Sequence, residues 1–355
     1  MVTLGNNCLE NAVNLQTLLL SRSSILKIPR SAFTGTTLRY LDLSYNSIKF
    51  NSLSSLTNAM TFVNVSHNNI SDLFRAGIFP EQLETLDLSF NNISSLHIDT
   101  FEKTTKLLNL NMAHNKLSWF YEKAFLGLTE LKTLDLSFNQ LYRFYINTFI
   151  DLQNMETLNL AGNEIKTLDH MLFQKTTRIK HMFLQENHLQ TLSILIFANL
   201  KELRTLDLRN NELLRIPEGL SKVGNIKTLT ISCNKLSYIP PDFFIGQYGI
   251  HLSLATVDQE GFSDGSHPTC FMGEGNHSDC NDNSLSENDY LNWKMAVKEN
   301  GITCGRRAMG PTSSQGIRKQ SRPIREREEF ETGVVVIHEA RFFAQRHDAG
   351  RWMKI

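Results

Sequence analysis

The side chains best able to do chemistry here are histidines, cysteines and carboxylates, and their spacing decides whether the chain can be an enzyme. His67 and His114 could share a metal or pass a proton if they met. Cys270, His277, Cys280 and Cys304 are donors of the kind that hold zinc, but their spacing fits no common zinc motif. An oxidised, disulfide-stapled cap is the simpler reading of that group. His338-Glu339 begins a metalloprotease pattern and lacks its second histidine. The sequence has neither a phosphate-cradling glycine loop nor a nucleophile elbow. The expectation is a protein that is not an enzyme, with no cofactor and no metal.

A repeat sets the spacing of the two histidines. Asparagine recurs at Asn46, Asn68, Asn91, Asn115, Asn139, Asn163, Asn187, Asn211 and Asn234, at intervals of 22 to 24 residues. Each ends a leucine-spaced phrase, clearest as Leu131-x-x-Leu134-x-Leu136-x-x-Asn139-x-Leu141. An earlier copy, Leu15 to Ile25, carries Ser23 in the asparagine's place. Alternation of apolar and polar residues around Asp135 is the signature of a short strand with one buried and one wet face. The asparagine stands where the chain leaves the strand, and its amide can satisfy backbone groups of its own coil and the next. A period of 20–29 residues with this phrase builds a solenoid whose coils bury one another's apolar faces. Ten parallel strands would form an arc on the order of 45 Å long, with His67 and His114 two coils and ~10 Å apart, too far to share a ligand directly.

Phe101, Phe125, Phe149, Phe173 and Phe197 repeat every 24 residues, with Phe33 and Phe243 in equivalent places, and predict a convex-side core spine. Two other columns point outward from the sheet. The central one reads Leu19, Asp42, Asn64, Asp87, Asn111, Asp135, Asn159, Phe183, Asp207 and Thr230. The one beside the asparagines reads Arg22, Tyr45, His67, Phe90, His114, Phe138, Gly162, Glu186 and Asn210. Aromatic anchors flanking an acidic stripe suit a protein partner. The bland alternative is packing along the sheet.

The 355 residues carry 36 Lys and Arg against 36 Asp and Glu, so no global charge suggests nucleic acid. No apolar run approaches the ~18–20 residues of a membrane span; the best candidate, Gly333 to Ile337, is far too short. Residues 1–15 lack the apolar core of a secretory signal. Sequons at Asn64, Asn69, Asn92 and Asn276, and cysteines clustered at Cys270, Cys280 and Cys304, nevertheless suit a secreted glycoprotein with disulfides. A chain missing its true N-terminus reconciles the two. The expected layout is a partial N-terminal cap over 1–14 with Cys8, the solenoid over 15–250, a cysteine-containing C-terminal cap over 251–305 and a charged, mostly disordered tail over 306–355. A helix is expected from Ser286 to Gly301. The tail has 11 Lys and Arg against 6 Asp and Glu, a net of +5, leaving −5 for the rest; a polyanion-binding arm is its sharper reading.

The phrases LDLSFNNI, LNMAHNKL and LDLSFNQL with the Phe spine resemble the typical 24-residue class of extracellular leucine-rich repeats. That class includes Toll-like receptor ectodomains, Slit-like matrix proteins and soluble leucine-rich immune proteins of insects. The resemblance implies an α/β fold, a right-handed leucine-rich repeat solenoid (horseshoe) of about ten coils with a parallel concave sheet. It also implies recognition of a protein ligand or partner repeat protein on that sheet, with a dimer open. The order Cys270, Cys280, Trp293, Cys304 resembles a divergent C-terminal cap, for which Cys280–Cys304 and Cys270–Cys304 are the candidate pairs. Extracellular innate-immune binding is the leading expectation; adhesion or matrix organisation is the alternative, and an intracellular scaffold a further one. The expected contact residues are Tyr45, Asp87, Phe90, Asn111, His114, Asp135, Phe138, Phe183 and Asp207. A glycan on Asn64 would block the N-terminal third of the face.

Overall fold

A computed structural model describes residues 2–71, 73, 79–193, 195–216, 220, 223, 226–236 and the backbone of 251–253. The expected cap with Cys270, Cys280, Cys304 and Asn276, the helix from Ser286, Phe243 and the tail lie outside the described residues.

Eleven three-residue strands form one parallel sheet. Ten of them coincide with the ten copies of the phrase: β2 (Thr17–Leu19), β4 (Tyr40–Asp42), β5 (Phe62–Asn64), β6 (Thr85–Asp87), β7 (Asn109–Asn111), β8 (Thr133–Asp135), β9 (Thr157–Asn159), β10 (His181–Phe183), β11 (Thr205–Asp207) and β12 (Thr228–Thr230). The eleventh, β13 (His251–Ser253), pairs with β12. Outside this sheet, β1 (Val2–Thr3) pairs in parallel with β3 (Ile25–Lys27). Each strand pairs with the next in phrase register, so Leu110 lies beside Leu134 and Leu134 beside Leu158. The return paths are turns. They include a 3-10 segment, Phe50–Ser55.

The asparagine ladder holds coil to coil. Asn139 donates through Nδ2 to the carbonyl oxygens of Met112, Leu136 and Ser137 at 3.0, 3.0 and 3.2 Å, and its Oδ1 accepts the Leu117 N–H at 3.0 Å. One amide thus satisfies backbone groups in two coils that water cannot reach. The coil with Ser23 borrows from its neighbour: Asn46 Oδ1 accepts the Ser23 and Ile25 N–H groups at 3.1 and 2.8 Å.

On the convex side the phenylalanines are fully buried and stack in file. Phe101–Phe125, Phe125–Phe149 and Phe149–Phe173 centroids are 6.5, 6.0 and 6.0 Å apart. Phe79 joins the file at 5.6 Å from Phe101, although its interval is shorter than 24 residues. Strands in one sheet sit about 4.8 Å apart, so each coil is wider outside than inside, and the array bends into an arc with the sheet on its concave side.

Candidate recognition face

The central outward column is committed to its own backbone. In coil after coil a side-chain Oδ1 accepts the N–H two residues on: Asp42 from Ser44 at 2.8 Å, Asn64 from Ser66 at 2.9 Å, Asp87 from Ser89 at 2.9 Å, Asn111 from Ala113 at 3.0 Å, Asp135 from Ser137 at 2.9 Å and Asp207 from Arg209 at 3.0 Å. These turns bend the chain out of each strand. Asn159 also donates to Asp135 Oδ2 at 3.0 Å, and Arg209 pairs with Asp207 at 2.8 Å. Asp135 and Asp207 are each only 7% exposed. Burial pushes the Asp87 and Asp135 carboxyls above the usual carboxylate range despite these hydrogen bonds. Asp87, Asn111, Asp135 and Asp207 therefore lie on the concave face with much of their bonding capacity already spent. Phe183, half-buried, interrupts the series.

The next column leaves the strand in the left-handed backbone region. Arg22, Tyr45, His67, Phe90, His114 and Phe138 have φ between +52° and +55°. Gly162, Glu186, Asn210 and Cys233 continue the column at +62°, +56°, +49° and +53°. That turn aims the following asparagine inward. Glycine and asparagine adopt it readily, whereas bulky side chains crowd the backbone there.

The bulky side chains form a continuous ladder. The Arg22 guanidinium lies 4.1 Å from the Tyr45 ring centre. Tyr45 and His67 stack at 4.0 Å, His67 and Phe90 at 4.1 Å, Phe90 and His114 at 4.1 Å, and His114 and Phe138 at 4.5 Å, all within 13° of parallel. Phe138 ends the series by covering Gly162, where an added Cβ would stand 2.5 Å from Phe138 Cδ1. Both ends are thus covered by the chain itself. Tyr45, Phe90 and Phe138 remain 42 to 44% exposed. Face-to-face stacking leaves the ring edges as the exposed part, C–H groups with positive partial charge interspersed with the imidazole nitrogens and the Tyr45 hydroxyl. A shorter stack, Tyr40 on Phe62 at 4.1 Å, stands elsewhere on the same sheet.

Packing along the sheet and contact with a partner were alternatives in the sequence; these rings pack along the sheet, and Tyr45, Phe90 and Phe138 stay exposed to solvent. The sequence grouped Tyr45, Phe90, His114 and Phe138 in one column, as the structure does. Its list of contact residues omitted Arg22, His67 and Gly162, although the same register runs through them. Burial pushes the His67 and His114 rings below the usual histidine range; His114 and Arg22 add to this at His67, while Asp135 opposes it at His114.

Among the sequons, Asn69 is exposed, Asn92 half-buried, and Asn64 half-buried within the central column. Cys8 is exposed and carries a free thiol. Among the described residues, no three metal-binding side chains converge, and no helix is long and apolar enough to cross a membrane.

A family model described as leucine rich repeat matches residues 13–70, 81–141 and 177–236, together just over half of the chain. No curated protein matches significantly. Among solved structures, a leucine-rich repeat protein of Leptospira interrogans superposes with a TM-score of 0.63 at 23% identity, covering 72% of this chain and 65% of that one. The Toll chain of Drosophila, solved with Spätzle, gives 0.60 at 23% identity over 70% of this chain and 37% of its own. A chain of the octameric complex of Latrophilin 3, Unc5D and the leucine-rich repeats of FLRT2 gives 0.57 at 20% identity over 70% and 77%. At these identities the likeness is one of fold. The chain spans about two thirds of the Leptospira protein and little more than a third of Toll.

Proposed function

Since the chain belongs to the leucine-rich repeat family, whose members are in general non-catalytic protein-interaction modules, we propose that it recognises a protein partner outside the cell through the concave ladder from Tyr45 to Phe138. One observation carries this reading: rings occupy backbone positions that disfavour them, and there they form an unbroken stack with Tyr45, Phe90 and Phe138 exposed. A column serving only as packing would gain as much from buried rings. Aromatic residues at the centre of a rigid surface are the usual source of binding energy between proteins. The partner is a protein ligand or a second repeat protein, and a homodimer is one form of the latter.

Innate-immune recognition is the leading reading, in keeping with the likeness to Toll, which was solved with a protein partner. Adhesion or matrix organisation is the second, favoured by the likeness to FLRT2, whose structure is an assembly with two other proteins. An extracellular address suits the exposed sequon at Asn69. Of the described sequons, Asn69 accommodates a glycan best and Asn92 next; a glycan on Asn64 would have to leave a column already bonded to the backbone. Cys270, Cys280, Cys304 and Asn276 remain candidates for the disulfides and a fourth glycan.

Alanine at Phe90 and Phe138 tests the ladder. The expected result is capture from extracellular fluid weakened at least tenfold, as about 1.4 kcal/mol or more lost at a binding centre would give, with the fold retained by circular dichroism. Unchanged capture would remove the ladder from the interface. Glycopeptide mapping after secretion tests the address: occupied Asn69 with linked cysteines supports it, whereas bare sequons and free thiols favour an intracellular scaffold.

A further inference from the structure

His67 and His114 are the only titratable rings of the ladder near neutrality, and each is held on both faces. His67 lies between Tyr45 and Phe90 at 4.0 and 4.1 Å, and His114 between Phe90 and Phe138 at 4.1 and 4.5 Å. A proton on either ring adds at a nitrogen on the ring edge, and the charge it brings spreads over a ring covered on both faces. Beyond Tyr45 the Arg22 guanidinium faces His67, and beyond Phe90 stands the other histidine. His114 faces His67 through Phe90 on one side, while the Phe138 coil brings Asp135 near on the other. Asp42 and Asp87 turn an Oδ1 toward the Ser44 and Ser89 N–H groups.

We propose that the ladder is an acid-sensitive latch. His67 and His114, sandwiched between other aromatic rings, keep it closed near neutral pH and loosen it when both gain protons. Its function as a release device rests on the docking reading above. At neutral pH the column has one fixed cation, Arg22; in acid it has three, stacked in line with single rings between them. The faces of Phe and Tyr attract an imidazolium, but by covering both of its faces they remove part of its hydration, and Arg22 and the second histidine repel it at His67. For both histidines the balance lies toward the neutral ring.

The sign follows from that direction. A base whose pKa is lowered by folding stabilises the fold fully above its unfolded value, about 6.5 for histidine. That contribution is lost as pH falls from there through the lower folded value. A partner anchored on neutral ring edges is therefore held at neutral pH and released in acid.

The test reads the ladder without a partner, so its failure leaves the docking reading standing, and failed docking leaves it intact. Histidine-selective NMR titration of the full chain should place both rings below the ordinary histidine range. Thermal unfolding of wild type should drop between about pH 7.5 and pH 5, and this drop should shrink by a few degrees in H67F/H114F. Titration of both rings at or above the ordinary value, or an undiminished acid drop in a folded double variant, would overturn the latch. Should the double variant fail to fold, the wild-type titration decides alone.

Discussion

Two halves of one column share a backbone and differ in what they carry. From Tyr45 to Phe138 the left-handed position holds rings; from Gly162 to Asn210 it holds glycine, glutamate and asparagine, at nearly the same φ. The asparagine ladder runs through both halves with the same bonds, as at Asn91 and Asn211. The second half instead carries ion pairs near the sheet, Lys180 to Glu156 at 2.8 Å and Arg209 to Asp207 at 2.8 Å. The same turn therefore forms with a ring, glycine, glutamate or asparagine at this position, which leaves its side chain open to selection for function. A non-glycine residue in the left-handed region costs roughly 1–2 kcal/mol, and an aromatic pair returns about 0.5–1.5 kcal/mol. Stacking about offsets the backbone cost and leaves little surplus. Stability alone does not account for the choice of rings.

Phe149→Ala attacks what the two halves share, since Phe149 is fully buried midway along the spine. It should cost about 3–5 kcal/mol, seen as an early transition in denaturant that involves coils on both sides. A loss under 1 kcal/mol would show that the spine does not unite the array. Next comes the boundary. Gly162→Ala would place a Cβ 2.5 Å from the Phe138 ring at a φ of +62°, with an expected loss of about 1–3 kcal/mol from overpacking and backbone strain. Partner capture should weaken with it. The finest contrast sets Phe90→Gly against Glu186→Gly. Both relieve a left-handed non-glycine residue, but only the first removes two stacking contacts. Glu186→Gly should be neutral or stabilising by up to about 1 kcal/mol, and Phe90→Gly about 1–2 kcal/mol worse. Equal effects in chemical denaturation would mean that the stack contributes nothing to stability.

The solenoid was legible because each coil repeats one solution to one problem. Asn139 must bond groups in two coils, and Leu134 and Leu136 must alternate with Asp135, so the period and the strands follow directly from the sequence. Phe79 was harder: its coil is shorter, and it joins the spine through space and not through a 24-residue interval. The acidic stripe was legible as a column but not as a spent one, because the bond from the Ser137 N–H to Asp135 depends on the turn that follows the strand. The ladder needed side-chain direction as well as register. Nothing in the composition around Arg22 announces that its guanidinium covers Tyr45, nor does Gly162 by itself reveal a seat for the Phe138 ring.

The central claim is that the ringed half of the column, and not the charged half, meets the partner. Its most direct test is side-by-side capture from extracellular fluid by wild type, F90A/F138A and the matched control E186A/N210A. The account predicts capture by wild type and the control, and its loss in F90A/F138A. Equal capture by all three proteins, or loss confined to E186A/N210A, would contradict it.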